Sequence, residues 1–61
     1  MPNICKCRLL HSKLIARFMS ENPSLEISDT VSNWIYQSIY SIYENYGEAE
    51  AERYVREARM I

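Results

Sequence analysis

Residues 3–13 are NICKCRLLHSK, and the conformation of this stretch decides what kind of molecule the chain makes. In period 2, Cys5, Cys7 and Leu9 fall on one face and Ile4, Lys6 and Arg8 on the other. That is the alternation of a half-buried strand. In period 3.6 the apolar residues gather into no single stripe before Leu9. The pattern therefore predicts a strand over residues 4–9. A lone strand leaves its backbone N–H and C=O groups without partners. No other segment reads as a strand, so the pairing strand has to come from a second copy.

Downstream the signals are helical. Leu14, Ile15, Phe18 and Met19 recur at i, i+1, i+4 and i+5, which predicts a helix over about 12–22. Ser12 is its expected N-cap, and Pro23 ends it by pushing Asn22 out of helical geometry. Residues 29–46 predict a longer helix. Ser28 is placed to cap it and Asp29 to favour its first turn, and Tyr46-Gly47 is a stop. One stripe of this helix is Val31, Ile35, Ile39, Ile42 and Tyr46. A second is Tyr36, Tyr40 and Tyr43, and Trp34 widens the apolar arc. A helix this apolar has to be covered on more than one side. Residues 48–60 predict a third helix, with Ala51, Tyr54, Val55, Ala58 and Ile61 along one side and a Glu52–Arg56 pair at i,i+4. No repeat or linker appears, so residues 1–61 form a single domain.

The chain has 61 residues. A domain of that size buries only about 60% of its unfolded surface, and a partner subunit is one common remedy. With 48% hydrophobic and 25% charged residues the composition is globular. No apolar run approaches the roughly 18 residues that span a membrane. Met1-Pro2-Asn3 does not open a signal peptide. The expectation is a cytoplasmic protein with reduced thiols and no membrane partner. The net charge of −1 conceals segregation. Residues 1–20 hold Lys6, Arg8, Lys13 and Arg17 and no acid, whereas residues 21–52 hold seven acids and no base. Either a basic surface awaits an anionic partner, or the segments pair with each other when folded.

Cys5-x-Cys7-x3-His11 offers three metal ligands. Zinc normally takes four, with C-x2-4-C spacing. The thiols read instead as two buried, small apolar residues, and His11 as a surface or capping residue ahead of the first helix. No metal or cofactor is expected. The eight carboxylates show no pairing suited to acid–base work. A single glycine excludes phosphate-binding loops, and a chain this short has little room for a pocket. An enzyme is not expected.

A lone N-terminal strand, a short helix, a turn and a longer helix together resemble the ribbon-helix-helix superfamily of dimeric repressors. The residues that carry the resemblance are Ile4-Cys5-Lys6-Cys7-Arg8-Leu9, the stripe Leu14/Ile15/Phe18/Met19, and Ile27-Ser28 opening the apolar helix through Val31, Ile35 and Ile39. It covers residues 3–46. It implies a mainly α homodimer whose paired strands enter the DNA major groove, a small transcriptional regulator. Lys6 and Arg8 would then read bases, with Ile4 against a thymine methyl. The amides near Asp29 and Thr30 would hold a phosphate, and Lys13 and Arg17 would add attraction for the backbone. The alternative fold is a three-helix bundle. Its function would be that of a protein-binding adaptor or inhibitor acting through Trp34, Ile35, Tyr36, Ile39, Tyr40, Ile42 and Tyr43, or through the acidic middle of the chain. Residues 47–61 could instead wrap a toxin, as a segment of ribbon-helix-helix antitoxins does.

Overall fold

The computed structural model describes residues 2–58. Helix α1 runs Ile4–Glu21, α2 Asp29–Tyr46 and α3 Glu48–Glu57. No strand occurs among the described residues. The strand expected over 4–9, and with it the ribbon-helix-helix-like dimer, is therefore corrected: those residues are the first turns of α1. The alternative, a three-helix bundle, is the architecture the chain adopts.

The reason lies at Asn3. Its side-chain oxygen accepts from the Lys6 amide at 3.1 Å, and its carbonyl accepts from the Cys7 amide at 2.9 Å. That is an N-cap satisfying donors that a helix start leaves orphaned. Ser12, the expected cap, is an exposed residue within α1. Cys7, Leu10, Leu14 and Phe18 are buried at spacings of three, four and four. This stripe begins at Cys7 and becomes visible only when the thiol is counted as apolar. Leu9, which the strand pattern turned inward, is 47% exposed, and Met19 is 51% exposed.

The Asn22 amide side chain and backbone N–H both donate to the Phe18 carbonyl, which closes α1 ahead of Pro23. Leu25 and Ile27 in the following loop pack onto the core. Ser28 Oγ then accepts from the Val31 amide at 3.2 Å and opens α2. Only Gly47, at φ +96°, separates α2 from α3. A left-handed residue there turns the chain at once, and a glycine takes that conformation without a Cβ penalty. Helix α3 ends at Glu57 with Ala58 as its C-cap. The rest of the span expected to 60, and Ile61, lie outside the described residues.

His11 of α1 meets Ser32 and Tyr36 of α2. Lys6 meets Glu48 and Glu52, and Arg17 meets Val55 and Ala58. Helix α3 therefore runs in the same sense as α1, and α2 returns the chain between them. All three helices touch one another. Ile35 and Ile39 of α2 and Ala51 and Val55 of α3 complete the buried cluster begun by Leu10, Leu14 and Phe18.

Two neighbouring leucines separate the helix from the strand. Leu10→Ala should cost about 2–5 kcal/mol, as for a truncation that leaves a core cavity. Leu9→Ala should cost about 0.5 kcal/mol or less, as for a surface change. Urea unfolding of both variants checks this, and the reverse order would restore the strand register.

Candidate functional site

The basic residues of α1 divide between the fold and the solvent. Lys6 Nζ lies 2.8 Å from Glu52 Oε1 and 3.5 Å from Glu48 Oε1. The hydrogen bond to Glu52 raises the Lys6 pKa above its ordinary value, and the same bond holds the Glu52 carboxyl below the usual glutamate range. Arg17 donates from Nη1 to the carbonyls of Val55 and Arg56, both at 2.6 Å, and from Nη2 to that of Ala58. Carbonyls at a helix C-terminus have no partners within the helix and carry the negative end of its dipole. Arg17 thus caps α3 from another helix. The i,i+4 pair on α3 is Arg53–Glu57, at 3.2 Å, because Glu52, expected to meet Arg56, turns to Lys6.

Among the other residues expected at DNA, Ile4, Arg8, Lys13, Asp29 and Thr30 are exposed. On a helix Lys6 and Arg8 stand about 200° apart, so they do not share the outward face that a ribbon would give them. Lys6, Lys13, Arg17 and Arg56 border a groove of about 400 Å³ between α1 and α3, with Glu52 among them.

The thiols part in the same way. Cys7 is fully buried and Cys5 is exposed, so the expectation of two buried thiols holds for Cys7 alone. Burial pushes the Cys7 thiol up, away from the thiolate that reacts. No group of three His, Cys, Asp or Glu side chains among the described residues could hold a metal ion. His11 is a half-buried residue of α1, not a cap ahead of it. Its Nε2 lies 3.0 Å from the Ser32 carbonyl and 3.1 Å from Ser32 Oγ, and its ring meets Tyr36 edge-on at 5.6 Å. The spacing resembles a serine–base pair. A carbonyl only accepts, however, so the tautomer that satisfies it carries its hydrogen on Nε2. That nitrogen cannot also take the Ser32 proton. The contact ties α1 to α2.

The residues expected at a protein interface have three fates. Ile35 and Ile39 are core. Tyr36, Tyr40, Ile42 and Tyr43 are half-buried, with Ile42 and Tyr43 packed against the core. Burial is the leading cause that pushes the Tyr43 hydroxyl up. Trp34 alone stands out, at 69% exposure. Two residues not foreseen in this role join it: Tyr46, 73% exposed, and Tyr54. Trp34, Ser38, Ser41, Ile42 and Tyr54 line a shallow hollow of about 490 Å³. Ile42 and Tyr54 also line a second hollow of about 270 Å³, together with Tyr46 and the charged α3 residues Glu50, Arg53 and Glu57. The two hollows make one groove along the α2–α3 edge. Its α2 wall has no charged residue between Asp29 and Glu44. A further apolar hollow of about 580 Å³ lies where Ile15 and Met19 face Leu25 and Ile27.

Comparison with family models, curated proteins and solved structures finds no match to this chain. Among the described residues no helix is long and apolar enough to cross a membrane.

Two measurements probe the polar ties. The Glu52 contribution is in full force above the ordinary glutamate pKa and is lost as pH falls through its lowered value; that of Lys6 is in full force below the ordinary lysine pKa and is lost as pH rises through its raised value. Lys6→Met should therefore flatten the loss of stability between pH 7 and about pH 3, seen as urea midpoints. An unchanged acid slope would remove the pair from the account. Arg17→Met should speed amide exchange at residues 54–58 while α1 and α2 keep their protection. Uniform exchange across the chain would show that the cap is not local.

Proposed function

We propose that this chain is a small helical protein-binding module, an adaptor or inhibitor, whose contact surface is the aromatic groove between α2 and α3. The observation that carries the reading is Trp34. Tryptophan is among the most buried side chains on average and among the most frequent anchors of interfaces. Here it projects from an α2 face free of charge, beside Ile42 and Tyr54. Depletion of charge with enrichment of aromatics is the composition of an interface centre. Among the described residues the buried core does not include the Trp34 side chain.

Duplex DNA is the less favoured partner. The ribbon that would have entered the major groove is a helix, and Lys6 and Arg17 are engaged with α3. The toxin-wrapping reading of residues 47–61 is also less favoured. Ala51 and Val55 belong to the core, so α3 is built into the bundle.

A display selection of random helical peptides against the folded chain tests the proposal. Enriched ligands should bind wild type and lose at least about 2 kcal/mol against Trp34→Ala, the scale of an interface anchor, with Arg8→Ala unaffected. Random duplex DNA should show no binding at physiological salt in the range of about 1–100 µM typical of non-specific DNA-binding proteins. Ligands indifferent to Trp34, or DNA binding in that range, would overturn the reading.

A further inference from the structure

Resting on that reading of the α2–α3 edge, we infer that its occupant is a second copy of this chain, docked with the two α2 helices antiparallel about a two-fold axis near Ser38. The groove is self-complementary. Along α2, Trp34, Ser38, Ser41 and Asn45 recur at spacings of four, three and four, the spacing of a helix–helix seam. The seam is bulky at Trp34 and small at Ser38 and Ser41. Antiparallel pairing about Ser38 lays Trp34 of each copy over Ile42 and Tyr54 of the other, in the hollow that Ser38 and Ser41 leave open. Serine then faces serine at the axis, where two backbones can approach.

Charge selects the same arrangement. The seam is uncharged from Thr30 to Tyr43. In the antiparallel register Asp29 comes opposite Gly47 and Glu44 opposite Ser32, so no acid of one α2 comes opposite an acid of the other. A parallel register would set Asp29 against Asp29 and Glu44 against Glu44. Antiparallel helices also oppose their dipoles favourably. Because each copy supplies both knob and hollow, the contact is isologous and closes at two subunits. A foreign helix would have to carry both features at the same spacing.

The size is adequate. A specific interface takes roughly 800 Å² from each partner, about a sixth of the 4562 Å² that the chain exposes. Aromatic side chains bury about 150–250 Å² each. Trp34 and Tyr46, at 69% and 73% exposure, therefore supply a substantial part of the requirement.

Sedimentation equilibrium across the micromolar range, with a cross-linking arm, tests the inference. Wild type should dimerise, and its tryptophan emission should shift to the blue as the dimer forms. Trp34→Ala should weaken the dimer by at least about 30-fold, the fold-change of an interface anchor. Ser41→Glu, an exposed site in the single chain, should do the same without loss of helical signal, which guards against a tryptophan variant that fails to fold. In a Cys5→Ser background, Ser38→Cys at the axis should oxidise to a linked dimer, and Asn33→Cys on the far side of α2 should not. A monomer throughout the range, or a dimer indifferent to both Trp34→Ala and Ser41→Glu, overturns the inference. If the monomer still binds selected peptides through Trp34, the groove remains an interaction surface for another protein. If it binds none, the proposed function falls as well.

Discussion

The guanidinium of Arg17, set against the last carbonyls of α3, is the contact on which the arrangement of the bundle depends. Helix α3 has ten residues, below the roughly 12–15 that make an isolated helix even marginal in water. It buries only Ala51 and Val55. Its stability has to come from outside, and α1 supplies it at two levels. Lys6 holds Glu48 and Glu52 in the first turns, and Arg17 holds the carbonyls of Val55, Arg56 and Ala58 at the end. Two attachments spaced along both helices fix direction and register together, which a small apolar seam alone specifies weakly. With α3 in place, Ile35 and Ile39 are covered on the side that α1 leaves open.

Polar contacts elsewhere do similar work at the edges of a small core. His11 and Ser32 register α1 against α2. Asn22 closes α1 and Ser28 opens α2. No buried side-chain nitrogen or oxygen among the described residues lacks a partner, so these groups do not leave the desolvation cost of an unmet hydrogen bond. Apolar burial supplies the driving force, and directional contacts choose one packing among those that burial alone would allow.

The central helix is legible in the sequence because several local signals agree: Ser28 before it, Asp29 in its first turn, a 3.6-residue stripe through Ile35 and Ile39, and Gly47 behind it. The opening stretch misleads because six residues are too few to separate two periods. Lys6 and Arg8 interrupt Cys5, Cys7 and Leu9 in strand fashion, and a thiol is easily left out of an apolar stripe. Counting Cys7 with Leu10, Leu14 and Phe18 restores the helical period, and Asn3 three residues before Lys6 is then its cap. The charge segregation is legible only as a choice between a free basic surface and internal pairing. Arg17 and its carbonyl partners are 38 to 41 residues apart, and a backbone acceptor leaves no mark in composition. Trp34 is visible as an oddity on an apolar helix. Tyr54 is not, because its place on the inward side of α3 says nothing of the groove that forms where α3 crosses α2.

The single-residue connection at Gly47 divides the molecule by chain entropy. Closing a flexible loop costs more as it lengthens, by about 0.6 kcal/mol per doubling. Helices α2 and α3 meet across almost no intervening chain, so their pairing carries the smallest closure term in the fold. The ties from α1 to α3 close around the whole of α2 and carry the largest. The hairpin of α2 and α3 is thus the most local unit, and α1 is the element whose docking converts it into a cooperative domain. The aromatic groove belongs to the local unit: every described residue that lines it comes from α2 or α3.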